Sequence, residues 1–251
     1  MLPSLLAFLA AFGALLALER YAHRMLQEVA LLVTGHTESA IFLYSIPLLP
    51  GVALHELSHA VMARLLRVPV RSFTLIPKRQ KGGTVRLGAV EVLKSDSIRS
   101  SLIGGAPLLV GLIVLGLIGW QTFNGAGVTG ALERGDVAAL ASLLVATTRA
   151  TDALLWFYII FAVANSMMPS ASDTQAWPPV IGLLVVIAVV ALLLGGADLV
   201  QTLKAPVTIT LRWLAASLAI TAFVDVIVTA ALWLFARLIE RISNRRITYK
   251  N

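Results

Sequence analysis

From Pro178 to Gly196 no residue carries a charge, and residues 2–18, 40–66, 101–120, 153–168 and 209–236 are also dominated by apolar side chains. A helix needs about 20 such residues to cross the hydrocarbon of a bilayer. Backbone groups in lipid must bond to one another, which restricts a crossing chain to helices or a closed barrel, and barrel strands are only about 10 residues long. The expected fold class is therefore an all-α polytopic membrane protein with about six transmembrane helices. Composition agrees: of 251 residues, 58% are hydrophobic and 13% charged, against about 25% charged in soluble domains.

The placement of charge supplies an expected topology. Eight basic residues stand against Glu91 and Asp96 between Arg67 and Arg99, a net of +6, and five stand against Glu240 from Arg237 onward, a net of +4. The intervening links 19–38 and 121–152 each sum to −1. Basic segments flanking apolar spans mark the cytoplasmic side, which puts both termini in the cytoplasm. The overall charge of +7 then points to anionic lipid headgroups as partner rather than to nucleic acid. The first apolar run lacks a basic n-region and a small-x-small cleavage site, so it reads as a retained span rather than a signal peptide.

The organisation expected is a single membrane-embedded domain over 1–251. It has a core at about 40–176, a β segment at about 68–93, and accessory helices at 1–39 and 177–251. Residues 20–34 read as an amphipathic interfacial stretch. In Val68–Leu93 β-branched and polar residues alternate, and Lys81-Gly82-Gly83 is a turn signal, so a β-hairpin or small sheet is expected there. Gly104, Gly105, Gly111, Gly116 and Gly119 would let the third span approach its neighbours closely. Pro3, Pro47, Pro50 and Pro107 fall near span ends or at kinks. The chain has no cysteine, which excludes thiolate ligands and disulfides.

Within the second apolar stretch stands His55-Glu56-Leu57-Ser58-His59. On a helix, residues four apart share a face, about 6 Å apart along the axis. Two imidazoles so placed can grip one metal ion, while Glu56 can take a proton from a metal-bound water. Ligand type favours Zn²⁺ among divalent ions. A third ligand has to be His, Asp or Glu. The candidates are His23, His36, Asp152, Asp173 and Asp225. The expected topology puts His23, His36 and Asp152 on the side away from the metal and Asp225 in mid-span, leaving Asp173, just past the fourth span, at the matching depth. Two carboxylates, Asp173 and Glu56, would also neutralise a divalent ion where isolated charge is costly. Asp225 reads equally as an intramembrane functional acid or as a helix–helix hydrogen bond. Asn165 reads equally as a packing amide or as a donor to a substrate carbonyl.

These residues resemble the site-2 protease family of intramembrane metalloproteases. The likeness rests on the His-Glu pentapeptide inside a span, on Asn165-Ser166-Met167-Met168-Pro169-Ser170-Ala171-Ser172-Asp173, similar to the family's Asn…Pro…Asp-Gly stretch, and on Ser101 to Gly111. It covers about 50–175. The resemblance implies His55, His59 and Asp173 as zinc ligands, Glu56 as catalytic base and Asn165 as a substrate-positioning residue. It also implies a β segment that pairs with an extended substrate strand. Ser172-Asp173-Thr174 departs from the family's Leu-Asp-Gly, and no Asn follows the Gly-Ala-Pro of the third span.

The function expected is a zinc endopeptidase that cuts a membrane-protein or peptide substrate in or near a transmembrane segment. The competing expectation is a non-catalytic scaffold or assembly factor on the same fold, acting with partner membrane subunits and with metal structural or absent.

Overall fold

The computed structural model describes residues 2–79 and 85–243. Helix α1 runs Leu2–Thr34, α2 Thr37–Ser45 and α3 Leu49–Leu65. Four short strands follow, β1 Val70–Thr74, β2 Lys78–Arg79, β3 Val85–Arg86 and β4 Ala89–Val92. Then come α4 Ser97–Thr122, α5 Gly125–Arg134, α6 Val137–Thr147, α7 Ala153–Ala164 and α8 Ala171–Thr174. The last long helical stretch breaks at Gly196, whose φ of 46° and ψ of −133° are not helical. It divides into α9, Trp177–Gly196, and α10, Asp198–Ile242.

Four helices (α1, α4, α9, α10) are long and apolar enough to cross a bilayer, and α2 with α3, bent by 73°, would make a fifth. This corrects the expected six. The fourth apolar segment forms a helix of only 12 residues, about 18 Å long and too short for a hydrocarbon layer of about 30 Å. Asp152 caps its start, and its backbone ends at Asn165 ahead of Pro169. The interfacial stretch expected over 20–34 is instead the second half of α1, a single helix of 33 residues. The second span is broken between Ser45 and Leu49, where Pro47 stands and Pro50 opens α3.

The β segment is present. β1 and β4 pair antiparallel, Phe73 opposite Val90 and Thr74 opposite Ala89, and β2 pairs with β3 through Lys78–Arg86 and Arg79–Val85. The expected Lys81-Gly82-Gly83 turn lies outside the described residues, as does the basic tail beyond 243.

The main core joins Leu15 of α1, Leu115 of α4, Phe157 and Ile160 of α7, and Leu218 and Val224 of α10. A second cluster packs Ala22 and Leu26 of α1 against Tyr44, Leu48 and Val52. In lipid, apolar side chains gain little by leaving apolar surroundings, so close contact and polar links carry the association. Both are visible. A Cβ on Gly116 would fall within 2.0 Å of Trp213, and one on Gly111 within 2.6 Å of Met167. Glu133 of α5 and Arg212 of α10 lie 2.6 Å apart, while Glu28 of α1 lies 3.4 Å from Arg237 of α10. α9 has no buried residue, as suits a helix surrounded by lipid.

Candidate metal centre

His55 and His59 lie on one face of α3, as their spacing requires, with their Nε2 atoms 3.1 Å apart. Each ring is held from behind. His55 Nδ1 donates to the Ser166 carbonyl at 2.6 Å, and His59 Nδ1 donates to the Ile103 carbonyl at 2.8 Å. A carbonyl only accepts, so each Nδ1 carries a proton, and in the neutral form of each ring the Nε2 lone pair points forward. Asp173 faces the same point, with Oδ1 at 3.4 Å from His59 Nε2 and Oδ2 at 3.8 Å from His55 Nε2. All three ligand atoms lie within 4.8 Å of one another.

One of these accepting carbonyls, that of Ile103, is available for a reason readable from covalent chemistry. In a helix the carbonyl of residue i accepts from the amide of i+4. For Ile103 that residue is Pro107, which sits inside α4 and has no N–H. The freed carbonyl goes to His59. At the end of α7, Pro169 likewise leaves the Asn165 carbonyl without its helical donor, and His23 Nε2 takes it at 2.9 Å. Such outer hydrogen bonds orient metal-ligating imidazoles, and losing one costs about 10–100-fold in metal affinity. Pro107→Ala should therefore show opposed effects. The helix gains up to about 3 kcal/mol when proline leaves its interior, while His59 loses sole use of its acceptor. Thermal unfolding should move up, and zinc affinity by competition titration should fall by about 10–100-fold.

Asp173 is positioned from both ends. Its Oδ2 accepts from the Ser170 amide and hydroxyl, each at 2.7 Å, which leaves Oδ1 to face His59. Burial works against its ionisation, but the neighbouring His55 and His59 rings and the hydrogen bonds from Ser170 outweigh it and hold the carboxyl at about 2. A depressed carboxylate stabilises the fold at all pH values above its unfolded value of about 3.9. That contribution is lost as pH falls from there through about 2, so Asp173 stays charged throughout the range where a metal would bind. Behind it, Gly104 of α4 packs on the Asp173 carbonyl, and a Cβ there would fall 2.0 Å from that oxygen. The close approach to Asp173 is thus permitted by a glycine on the facing helix. In Gly104→Val the α8 turn must move away. Overpacking of this kind costs about 1–3 kcal/mol, and metal content measured on the folded fraction should drop with it.

Glu56 is buried on α3 and sits beneath the hairpin. A Cβ on Gly88 would come within 2.8 Å of Glu56 Cγ and 2.9 Å of Val52, so a glycine is what lets this strand connection pass over the acid. Arg86, two residues earlier, donates from Nε to the Gly88 carbonyl at 3.0 Å. His55, Glu56, His59, Asp173, Arg86 and Asn165 all line one cavity of about 710 Å³.

Asn165 differs from its expectation in one respect. Its Nδ2 already donates to the Phe161 carbonyl at 2.9 Å and to Asp225 Oδ1 at 3.1 Å. With both N–H bonds engaged, only its oxygen can serve a ligand, as an acceptor. Asp225 is not among the clustered ligands; it faces Asn165. His36 precedes α2 and Asp152 precedes α7, and neither joins the cluster of His55, His59 and Asp173. His23, expected on the far side, instead lines the same cavity, with Nδ1 at 2.5 Å from the Tyr44 hydroxyl. The signal was the four-residue spacing of Glu19, His23 and Gln27, a stripe visible only if α1 continues past residue 18.

No family model, curated protein or solved structure matches this chain.

Proposed function

We propose that the protein is an intramembrane zinc endopeptidase of the site-2 protease type, cleaving a peptide bond in or near a transmembrane segment of its substrate. The observation that carries this is the convergence of two Nε2 lone pairs and a carboxylate with both Nδ1–H groups tied back. Three electron-rich atoms this close repel one another unless a cation lies between them. His, His and Asp suit Zn²⁺ with an open fourth position. When bound, zinc supplies a Lewis acid and lowers the pKa of a coordinated water to about 7.

The chain's own residues then divide the work. Glu56, next to His55 and capped by Gly88, accepts the proton of the attacking water and returns it to the leaving amine. Among the described residues β4 pairs with β1 on one edge only, and its Val90 and Val92 line the cavity. Its open edge suits an extended segment that joins it by main-chain hydrogen bonds. A substrate helix has to unwind to do so, because its carbonyls are otherwise bonded internally. With the basic 67–99 segment on the cytoplasmic side, cleavage falls near the cytoplasmic end of the substrate span.

The test uses purified protein in liposomes, synthetic transmembrane peptides and mass spectrometry of the products. Cleavage should stop with a chelator and return with zinc. A protein that takes up no zinc, or takes it up and cuts none of the peptides, leaves the scaffold reading in its place.

A further inference from the structure

Asp225 is fully buried on α10, at 0% exposure, and Asn165 at 2%. One hydrogen bond joins them, from Asn165 Nδ2 to Asp225 Oδ1 at 3.1 Å. The other oxygen of each group, Asn165 Oδ1 and Asp225 Oδ2, is buried with no partner among the described residues. Which end of the amide is which is decided by chemistry. The second Nδ2 bond goes to the Phe161 carbonyl, which cannot donate, so the amide cannot be turned over.

Two orphan acceptors on an already bonded pair lack one thing, a single proton. A neutral carboxylic acid and a primary amide have complementary hydrogen-bonding groups. The amide N–H gives to the acid C=O, and the acid O–H gives to the amide C=O. We propose that Asp225 is held as a neutral acid whose Oδ2–H donates to Asn165 Oδ1, closing a two-bond clasp between α10 and the end of α7. The surroundings favour a neutral group. Among the described residues Asp225 has no ion-pair partner, and the charge that reaches it from α1 is that of Glu19, another acid. A second negative charge in this interior would be costly. His23, which reaches the same residue from α1, is already bonded to the Asn165 carbonyl and to Tyr44, while Thr229 Oγ1, four residues along α10, is a further buried polar atom with no partner among the described residues.

Asp225 is then a positioning residue. It acts on the cavity through the Asn165 amide, and it is neither a metal ligand nor a proton carrier. The clasp does not depend on peptidase activity, so it can stand or fall separately from the proposed function.

The experiment compares wild type with Asp225→Asn and Asp225→Leu, all purified in detergent at neutral pH. Asparagine mimics the neutral acid, because an amide can give and accept the same two bonds; leucine can do neither. Infrared spectra of the wild type should contain a protonated-carboxyl C=O band that vanishes in Asp225→Asn. Thermal midpoint and zinc content of Asp225→Asn should match the wild type, while Asp225→Leu should lose thermal stability. If Asp225→Leu does not fold, the band and the Asp225→Asn midpoint still decide. Absence of a carboxyl band difference overturns the proposal, because Asp225 is then ionised. An Asp225→Asn protein as unstable as Asp225→Leu also overturns it, and points to a bound cation that needs the charge.

Discussion

Glu56→Gln should retain the metal and lose cleavage. Glutamine keeps the shape of the side chain beneath Gly88, so the approach of 2.8 Å between a Gly88 Cβ position and Glu56 Cγ is unchanged, and α3 has no reason to shift. His55, His59 and Asp173 keep their geometry. What disappears is the ability to accept a proton from the attacking water. General acid–base catalysis of this kind contributes about 10²–10⁴-fold, so peptide cleavage should fall by that factor while zinc stoichiometry stays at wild-type level. A variant with unchanged biological output would assign the protein a scaffold role, because a scaffold has no use for the proton transfer.

Asp173→Ala should do the reverse, losing the metal first. Its carboxylate faces both imidazoles, Oδ1 toward His59 and Oδ2 toward His55, and two histidines alone leave a divalent ion under-coordinated. Removing an outer hydrogen bond already costs about 10–100-fold in affinity, so removing the ligand itself should cost more. Metal analysis of the purified variant is expected to give near-zero zinc, with cleavage absent as a consequence. The fold should persist, since the turn around Asp173 lies at the cavity rim, outside both core clusters. Full metal occupancy in this variant would remove Asp173 from the ligand set and, with it, the assembly on which the peptidase reading depends.

The paired imidazoles of the candidate site were legible because the relation between His55 and His59 is local. Four residues on a helix fix a shared face whatever the rest of the chain does. Asp173 was singled out by matching the depth of the end of the fourth apolar segment to α3 at a helical rise of about 1.5 Å per residue, although that segment forms a helix of only 12 residues. The same reasoning failed for His23. It assumed that α1 ended near residue 18, where charges begin, whereas Glu19, His23 and Glu28 continue the helix with their polar groups turned inward, Glu28 toward Arg237. Charge marks a span's end only when the side chain faces lipid. Turned toward other helices, a charged group can find a partner and the span continues.

The six-span count failed at Ala153–Ala164 for a related reason. Hydropathy measures how apolar a stretch is, and this one is apolar throughout, but Asp152 and the Asn165–Pro169 turn confine the helix to 12 residues. Its interior residues Ile160, Phe161 and Val163 are buried by protein, so their apolarity reflects a core.

Sequence alone determined the membrane-spanning helical class, the paired imidazoles and the hairpin after α3, because each follows from short-range periodicity. Only the tertiary structure decided which carbonyls hold the imidazoles, that Gly104 and Gly88 admit Asp173 and the hairpin to the site, and that Asp225 meets Asn165 across 60 residues of chain. Those relations join distant segments through unsatisfied groups. A proline or a buried acid announces that a partner is needed, but the packing of the helices selects which partner it finds.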